Sequence, residues 1–316
     1  MRPPSFDAVN YSLRPSKSIQ RQIVFDGVRR LHAHLDLERQ AYIGFGSIWF
    51  TDFVMAHKIL GIDEMVSIES HPIGFKRAEF NVPYSMVRVF HGISTNVLPS
   101  LYKDEKIKKR PWLVWFDYDY EFNASVKADV LSLVERAPED SIILVTVNGN
   151  EKKYGTLKER ADTLRDLFGA IVPDDLPKRA YEDGNLQETL ADFMLAYMNS
   201  VAADERRVGG FEPAFRVIYK DTTPMITVGG VLPAKGSLAG VAAALGREDW
   251  PCRPTKPIVA PHLTMREAAV LQALLPRAKS ITRTMLQELG FDLDEDQIEA
   301  FQTYYKQYPA FAQIVS

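Results

Sequence analysis

Cysteine is nearly missing from this chain: Cys252 is the only one in 316 residues. A lone thiol excludes an internal disulfide and any cysteine zinc cluster, and it suits a reducing cytosol. Long apolar runs are missing as well. No stretch approaches the roughly 20 apolar residues of a membrane-spanning helix, and residues 1–17 hold no apolar core of a signal peptide. A soluble, cytoplasmic protein without a membrane partner is therefore expected. Charge of one sign is not in surplus either. The net charge of −3 exerts no global pull toward nucleic acid or an anionic surface, although it leaves room for a local basic patch. The six histidines are scattered, so no metal centre is expected, and no repeat or low-complexity tract occurs.

What is present is ordinary for a globular protein: 46% hydrophobic and 25% charged residues. The length suits one large α/β domain with an appendage. One stretch organises the rest, AYIGFGSIWFTDFVMAHKILGIDEMVSIE at residues 41–69. A short apolar run breaks into Gly44-Phe45-Gly46-Ser47, and apolar residues at helical spacing follow (Phe50, Phe53, Val54, Ile59, Leu60). Gly61 stops that helix, and residues 65–68 read as a second buried strand ending on Glu69. Strand, glycine turn, helix, strand and acid make one unit of a nucleotide-binding sheet. The glycines permit close backbone approach, the helix start offers N–H donors, and Glu69 stands where a ribose diol is met. Trp49 occupies the slot of a third glycine, so the fingerprint is incomplete; a plain tight turn with a solvated Glu69 is the alternative.

Three prolines, Pro3, Pro4 and Pro15, mark residues 1–17 as an irregular arm. Ser18 is the expected N-cap of a helix with Ile19, Ile23, Val24, Val28, Leu31 and Leu35 on one stripe. Arg14, Lys17 and Arg21 at its start either close over an anionic ligand or form a solvated basic face. Further strands are expected at 86–90, 112–116 and 141–147, with helices at 96–102 and 124–136. Residues 72–81 read as a short helix or loop, and a basic loop spans 103–110. Residues 151–210 are helical and charged, clearest over 186–201. Residues 215–219 and 225–231 form a hairpin around Asp221-Thr222-Thr223-Pro224, in which Gly229-Gly230 marks a bulge or a close approach. Residues 233–261 are loop-rich. A capping box from Thr264 to Glu267 opens a C-terminal set of helices, with others at 281–289 and 295–305. This pattern predicts a doubly wound α/β fold with a mostly parallel sheet and a terminal antiparallel hairpin. The expected divisions are an N-terminal arm and helix at 1–40, a Rossmann-like domain at 41–232 with a helical insertion at 151–210, and an appendage at 233–316.

That order of elements over roughly residues 40–232 resembles the class I S-adenosylmethionine-dependent methyltransferases. Two departures make it similar to a divergent member: Ala41-Tyr42-Ile43 carries no first-strand acid, and Ile93 stands where an acid often follows the third-strand glycine. The resemblance implies S-adenosylmethionine as cofactor, held by Gly44, Gly46 and Ser47, by Glu69 at the ribose, and by Gly92 to Ser94 at adenine. It places the end of the fourth strand, Asp117-Tyr118-Asp119-Tyr120, against the acceptor. There Asp117, or Asp119 one turn position on, orients or deprotonates an acceptor oxygen or nitrogen, and Tyr120 offers a ring face. A solvated acidic turn is the structural alternative. Asp117 or Asp119 with Asn148 supplies part of a magnesium oxygen set. His71 and His91 are candidate bases at the rim. A small-molecule acceptor is the expected partner. Two other readings stay open: a nucleotide-binding sensor or assembly subunit without turnover, and a nucleic-acid methyltransferase docking through the 103–110 loop.

Overall fold

A computed structural model describes residues 14–276 and 280–309; residues 1–13 of the expected arm lie outside that range. The sheet has seven strands: β1 (Ala41–Gly44), β2 (Glu64–Glu69), β3 (Val87–His91), β4 (Trp112–Asp117), β5 (Ser141–Asn148), β6 (Glu212–Lys220) and β7 (Pro224–Leu232). Their spatial order is β3-β2-β1-β4-β5-β7-β6. The first five strands pair in parallel, whereas β7 runs antiparallel to both β5 and β6. The expected doubly wound sheet with a terminal hairpin is thus the observed one. Strand order reverses between β1 and β4, with successive strands added on one side of β1 and then on the other, the place where such sheets open a crevice at their carboxyl ends.

Strand alternation divides the core. Tyr42, Met65, Leu113, Trp115 and Leu144 pack on one face, and Ile43, Val66, Val114, Phe116 and Val145 on the other. The first face is covered by α1 (Pro15–Arg30), α2 (Thr51–Leu60), α3 (Pro72–Phe80), α8 (Leu238–Leu245) and the C-terminal helices α9 (Met265–Leu274), α10 (Arg283–Leu289) and α11 (Glu295–Tyr304). The second is covered by α4 (Ser94–Leu101), α5 (Ala124–Arg136), α6 (Arg160–Phe168) and α7 (Leu186–Asp204).

Two sequence expectations are corrected. Helix α1 starts at Pro15 rather than after Ser18, with proline in the first turn where a missing N–H costs nothing. Its cap comes from far along the chain: the Asp221 carboxylate accepts the backbone N–H groups of Ser16 at 2.9 Å and Lys17 at 3.1 Å. The loop-rich stretch after Pro233 also contains α8, which places Val241 and Leu245 in the core. The paired glycines of β7 are close approaches facing a bulge. A Cβ on Gly229 would lie 2.0 Å from the Ile143 carbonyl oxygen, and the β6 register shifts opposite, between Pro213 and Phe215.

Candidate active site

At the carboxyl ends of β1, β2 and β4 the chain forms a crevice in two connected halves. One half is lined by Lys17 and Arg21 of α1, by Phe45, Gly46, Ser47, Trp49, Thr51 and Asp52, and by Glu69, Asp117 and Asp119. The other is lined by Phe45, Glu69, Gly92, Ile93, Ser94 and the tetrad from Asp117 to Tyr120. Phe45, Glu69, Asp117 and Asp119 border both. Phe45 lies between them, its ring stacked on Phe116 at 4.6 Å and set edgewise to Tyr118 at 5.1 Å.

The turn after β1 is tightly folded. Gly46 donates its N–H to Ser67 Oγ at 3.2 Å, and a Cβ there would lie 2.5 Å from the Phe50 ring. Ser47 and Phe50 both take left-handed backbone angles, at φ 52° and 49°. A bulky residue in that region costs on the order of 1–3 kcal/mol, a strain that concentrates where ligands bind. Gly44 plays a different part from the one expected. It ends β1 without bordering the crevice, and its missing Cβ spares the Trp115 carbonyl oxygen, 3.1 Å away.

Glu69 ends β2 with one carboxylate oxygen accepting the His71 N–H at 2.8 Å. That bond anchors the carboxylate at the crevice wall. His71 itself caps α3, its Nδ1 accepting from Ile73 and Gly74 at 3.2 and 3.3 Å. His91 Nε2 lies 3.2 Å from the Ser70 carbonyl oxygen. Neither ring lines the crevice, so the rim-base expectation for both is withdrawn: the local backbone claims their nitrogens.

Asp117 reaches the crevice from the end of β4 and is ion-paired with Lys17; their side chains are 15% and 8% exposed. Its other oxygen, Oδ1, is buried without a hydrogen-bond partner, as are the hydroxyls of Tyr42 and Tyr219. Beside this pair Arg21 binds Asp52 at 2.6 Å. Burial opposes the Arg21 charge, yet Asp52 and then Asp117 hold its pKa above the ordinary value. Lys17 and Arg21 therefore balance half-buried carboxylates instead of facing solvent, and the solvated-face alternative fails for these two.

Asp119 borders both halves, and Tyr120, 39% exposed, borders the second. Burial, followed by Asp129 and Asp119, raises the Tyr120 pKa, which keeps the phenol protonated at neutral pH. Two of the candidate magnesium ligands already have partners. Asn148 Oδ1 accepts the Asn150 N–H at 2.9 Å while Asp117 holds Lys17. Among the described residues no group of three or more His, Cys, Asp or Glu is arranged to hold a metal ion.

The basic loop at 103–110 precedes β4 and so lies at the amino edge of the sheet, away from the crevice. Its charges are partly spent on Arg110–Asp63 and Lys108–Glu105 pairs. Sequence reasoning passed over Asp52 and Asp129, and it read Trp49 only as a missing glycine. Asp52 in the first turn of α2 was the one with a visible signal, since an acid there favours the helix dipole.

A family model described as "Putative O-methyltransferase" matches residues 9–316. No curated protein matches the sequence. Trm1 from Pyrococcus horikoshii, solved with S-adenosyl-L-methionine, is similar in fold at 13% identity and TM-score 0.48, over 75% of this chain and 60% of its own. The O-methyltransferase from Bacillus cereus in complex with SAH is similar at 12% identity and TM-score 0.38, over 65% of this chain and 79% of its own. TomG from Streptomyces achromogenes, an O-methyltransferase of tomaymycin synthesis solved with SAM, is similar at 14% identity and TM-score 0.38, over 71% of this chain and 91% of its own. At such scores the neighbours say nothing about individual site residues.

Proposed function

The chain belongs to the O-methyltransferase family whose model spans it, and from that premise we propose that it transfers the methyl group of S-adenosylmethionine to a hydroxyl oxygen of a small-molecule acceptor. The observation that carries this reading is the convergence of Gly46, Glu69 and Asp117 on one crevice at the switch point of the sheet. The cofactor fits the residues present. Gly46 and Ser47 bring backbone to the crevice wall at a turn packed tightly on Phe50 and Ser67, Glu69 offers acceptor oxygens to a ribose diol, and the Gly92–Ser94 turn with Tyr118 and Tyr120 walls the far half. When bound, S-adenosylmethionine supplies a sulfonium methyl whose S–CH3 bond breaks as the acceptor's O–CH3 bond forms, the electron pair staying on sulfur. Asp117 takes the hydroxyl proton, and the Lys17 ammonium beside it holds the acceptor oxygen. Asp119 is the second carboxylate within the same wall.

Titration calorimetry with S-adenosylhomocysteine tests the reading. The protein should bind it, and Glu69→Ala should lose about 2–3 kcal/mol, the worth of paired charge-assisted hydrogen bonds. A loss below about tenfold returns Glu69 to a solvated acid. One observation favours a second reading, a cofactor-binding module without turnover: Asp117 already spends one oxygen on Lys17 and buries the other. Slow release of labelled methyl from S-adenosylmethionine separates the two, because only the enzyme accelerates it.

A further inference from the structure

A buried carboxylate outside the predicted site ties the two walls of the nucleoside half together. Asp129 of α5 is 1% exposed, and among the described residues no cation pairs with it. Three hydroxyl groups donate to it instead: Ser94 Oγ and Tyr118 OH, the latter at 2.6 Å, share one oxygen, and Thr95 Oγ1 at 2.8 Å takes the other. Ser94 and Thr95 open α4 behind the Gly92 turn, where the preceding Ile93 offers no side-chain cap. Tyr118 follows Asp117 at the tip of β4. Ser94 and Tyr118 both line the second half of the crevice. Burying a carboxylate without a counter-ion is costly unless strong donors satisfy it, so three convergent hydroxyls define a built junction. Burial, then Asp129 itself, raises the Tyr118 pKa well above its ordinary value and keeps this donor protonated.

We propose that Asp129 is a positioning residue for the nucleoside end of the cofactor: it acts through Ser94 and Tyr118 to hold the β3 turn and the β4 tip at the spacing a purine requires. The inference rests on the cofactor reading above. Asp129→Asn keeps the size of the side chain but sets an amide N–H2 against hydroxyl donors, so at least one of the three bonds is lost.

The test uses two probes, S-adenosylhomocysteine and 5′-methylthioadenosine, which share the nucleoside and differ in the amino-acid tail. Calorimetry on Asp129→Asn, shown folded by near-ultraviolet circular dichroism, should give about tenfold weaker binding of both probes, with Tyr118→Phe and Ser94→Ala each showing part of that loss. In turnover, KM for the cofactor should rise while kcat at saturation holds, a split that general loosening of the fold does not produce. Wild-type affinity in folded Asp129→Asn, or a loss for S-adenosylhomocysteine that 5′-methylthioadenosine does not share, overturns the assignment. Should Asp129→Asn not fold, the double variant Ser94→Ala/Tyr118→Phe decides, and unchanged affinity there overturns it. If the unaltered protein binds neither probe, the cofactor reading falls and this inference with it.

Discussion

At the scale of single residues, the site is set by how few polar atoms are left uncommitted. Glu69, Asp117 and Lys17 all hold neighbours, and only what remains on each can meet a ligand. Asp117→Asn should therefore keep cofactor affinity, because the contacts proposed for the cofactor are Gly46, Ser47 and Glu69, while turnover falls by roughly 10²–10⁴. Single-turnover methyl transfer with labelled cofactor checks this; an unaltered rate would move the proton acceptor to Asp119. Gly46 gives a second expectation. A methyl group there meets Phe50 at 2.5 Å and Ser67 Oγ at 2.6 Å, so Gly46→Ala must push Phe50 out of the core. Overpacking of this kind costs about 1–3 kcal/mol, and urea unfolding should show it together with weakened binding of S-adenosylhomocysteine.

At the scale of elements, α1 is the piece that completes the crevice. Its stripe of Ile19, Ile23, Val24 and Val28 was readable as a buried face, and all four are buried. Its orientation was not readable, because it depends on four distant partners. Asp221 caps the start, Ser16 Oγ donates to the Lys220 carbonyl oxygen and accepts the Ala260 N–H, and Gln20 Nε2 reaches Thr227 at 2.9 Å. Those contacts point Lys17 and Arg21 inward. Asp221→Ala removes a carboxylate from two N–H groups at a helix N-terminus, so stability should fall by about 1–2 kcal/mol in a urea titration. A change of a few tenths would mean that the hydroxyl and amide anchors hold the helix alone.

At the scale of the whole molecule, buried phenols set a limit at high pH. Burial raises the pKa values of Tyr42, Tyr118 and Tyr219 well above the ordinary 10, and it raises that of Tyr102 to about 12. In the unfolded chain these groups ionise near pH 10. Above that pH the unfolded state binds fewer protons than the folded one, so unfolding free energy declines with rising pH. Stability contributed by Tyr102 should be fully present below pH 10 and be lost as pH climbs through about 12, with Tyr42, Tyr118 and Tyr219 adding to the decline above pH 10. Urea midpoints measured from pH 8 to 12 should drop over that window.

The sequence by itself determined the elements and their order. Apolar alternation, the Gly61 stop, the Asn123 and Thr264 caps and the hairpin turn are local features, and local sterics and hydrogen bonding decide them within a few residues. It also determined which strand tips carry polar side chains, since parallel strands joined by helices must end on one edge. Only the tertiary structure decided what those side chains do. Gly44 and Gly46 look alike in a turn motif, yet one packs against the Trp115 backbone and the other borders the crevice, because β1 ends between them. Lys17 reaches Asp117 across 100 residues of chain, and Asp129 gathers hydroxyls from Ser94 and Tyr118 on separate elements. Such pairings follow from packing one layer on another, and no periodicity along the chain encodes the distance between two layers.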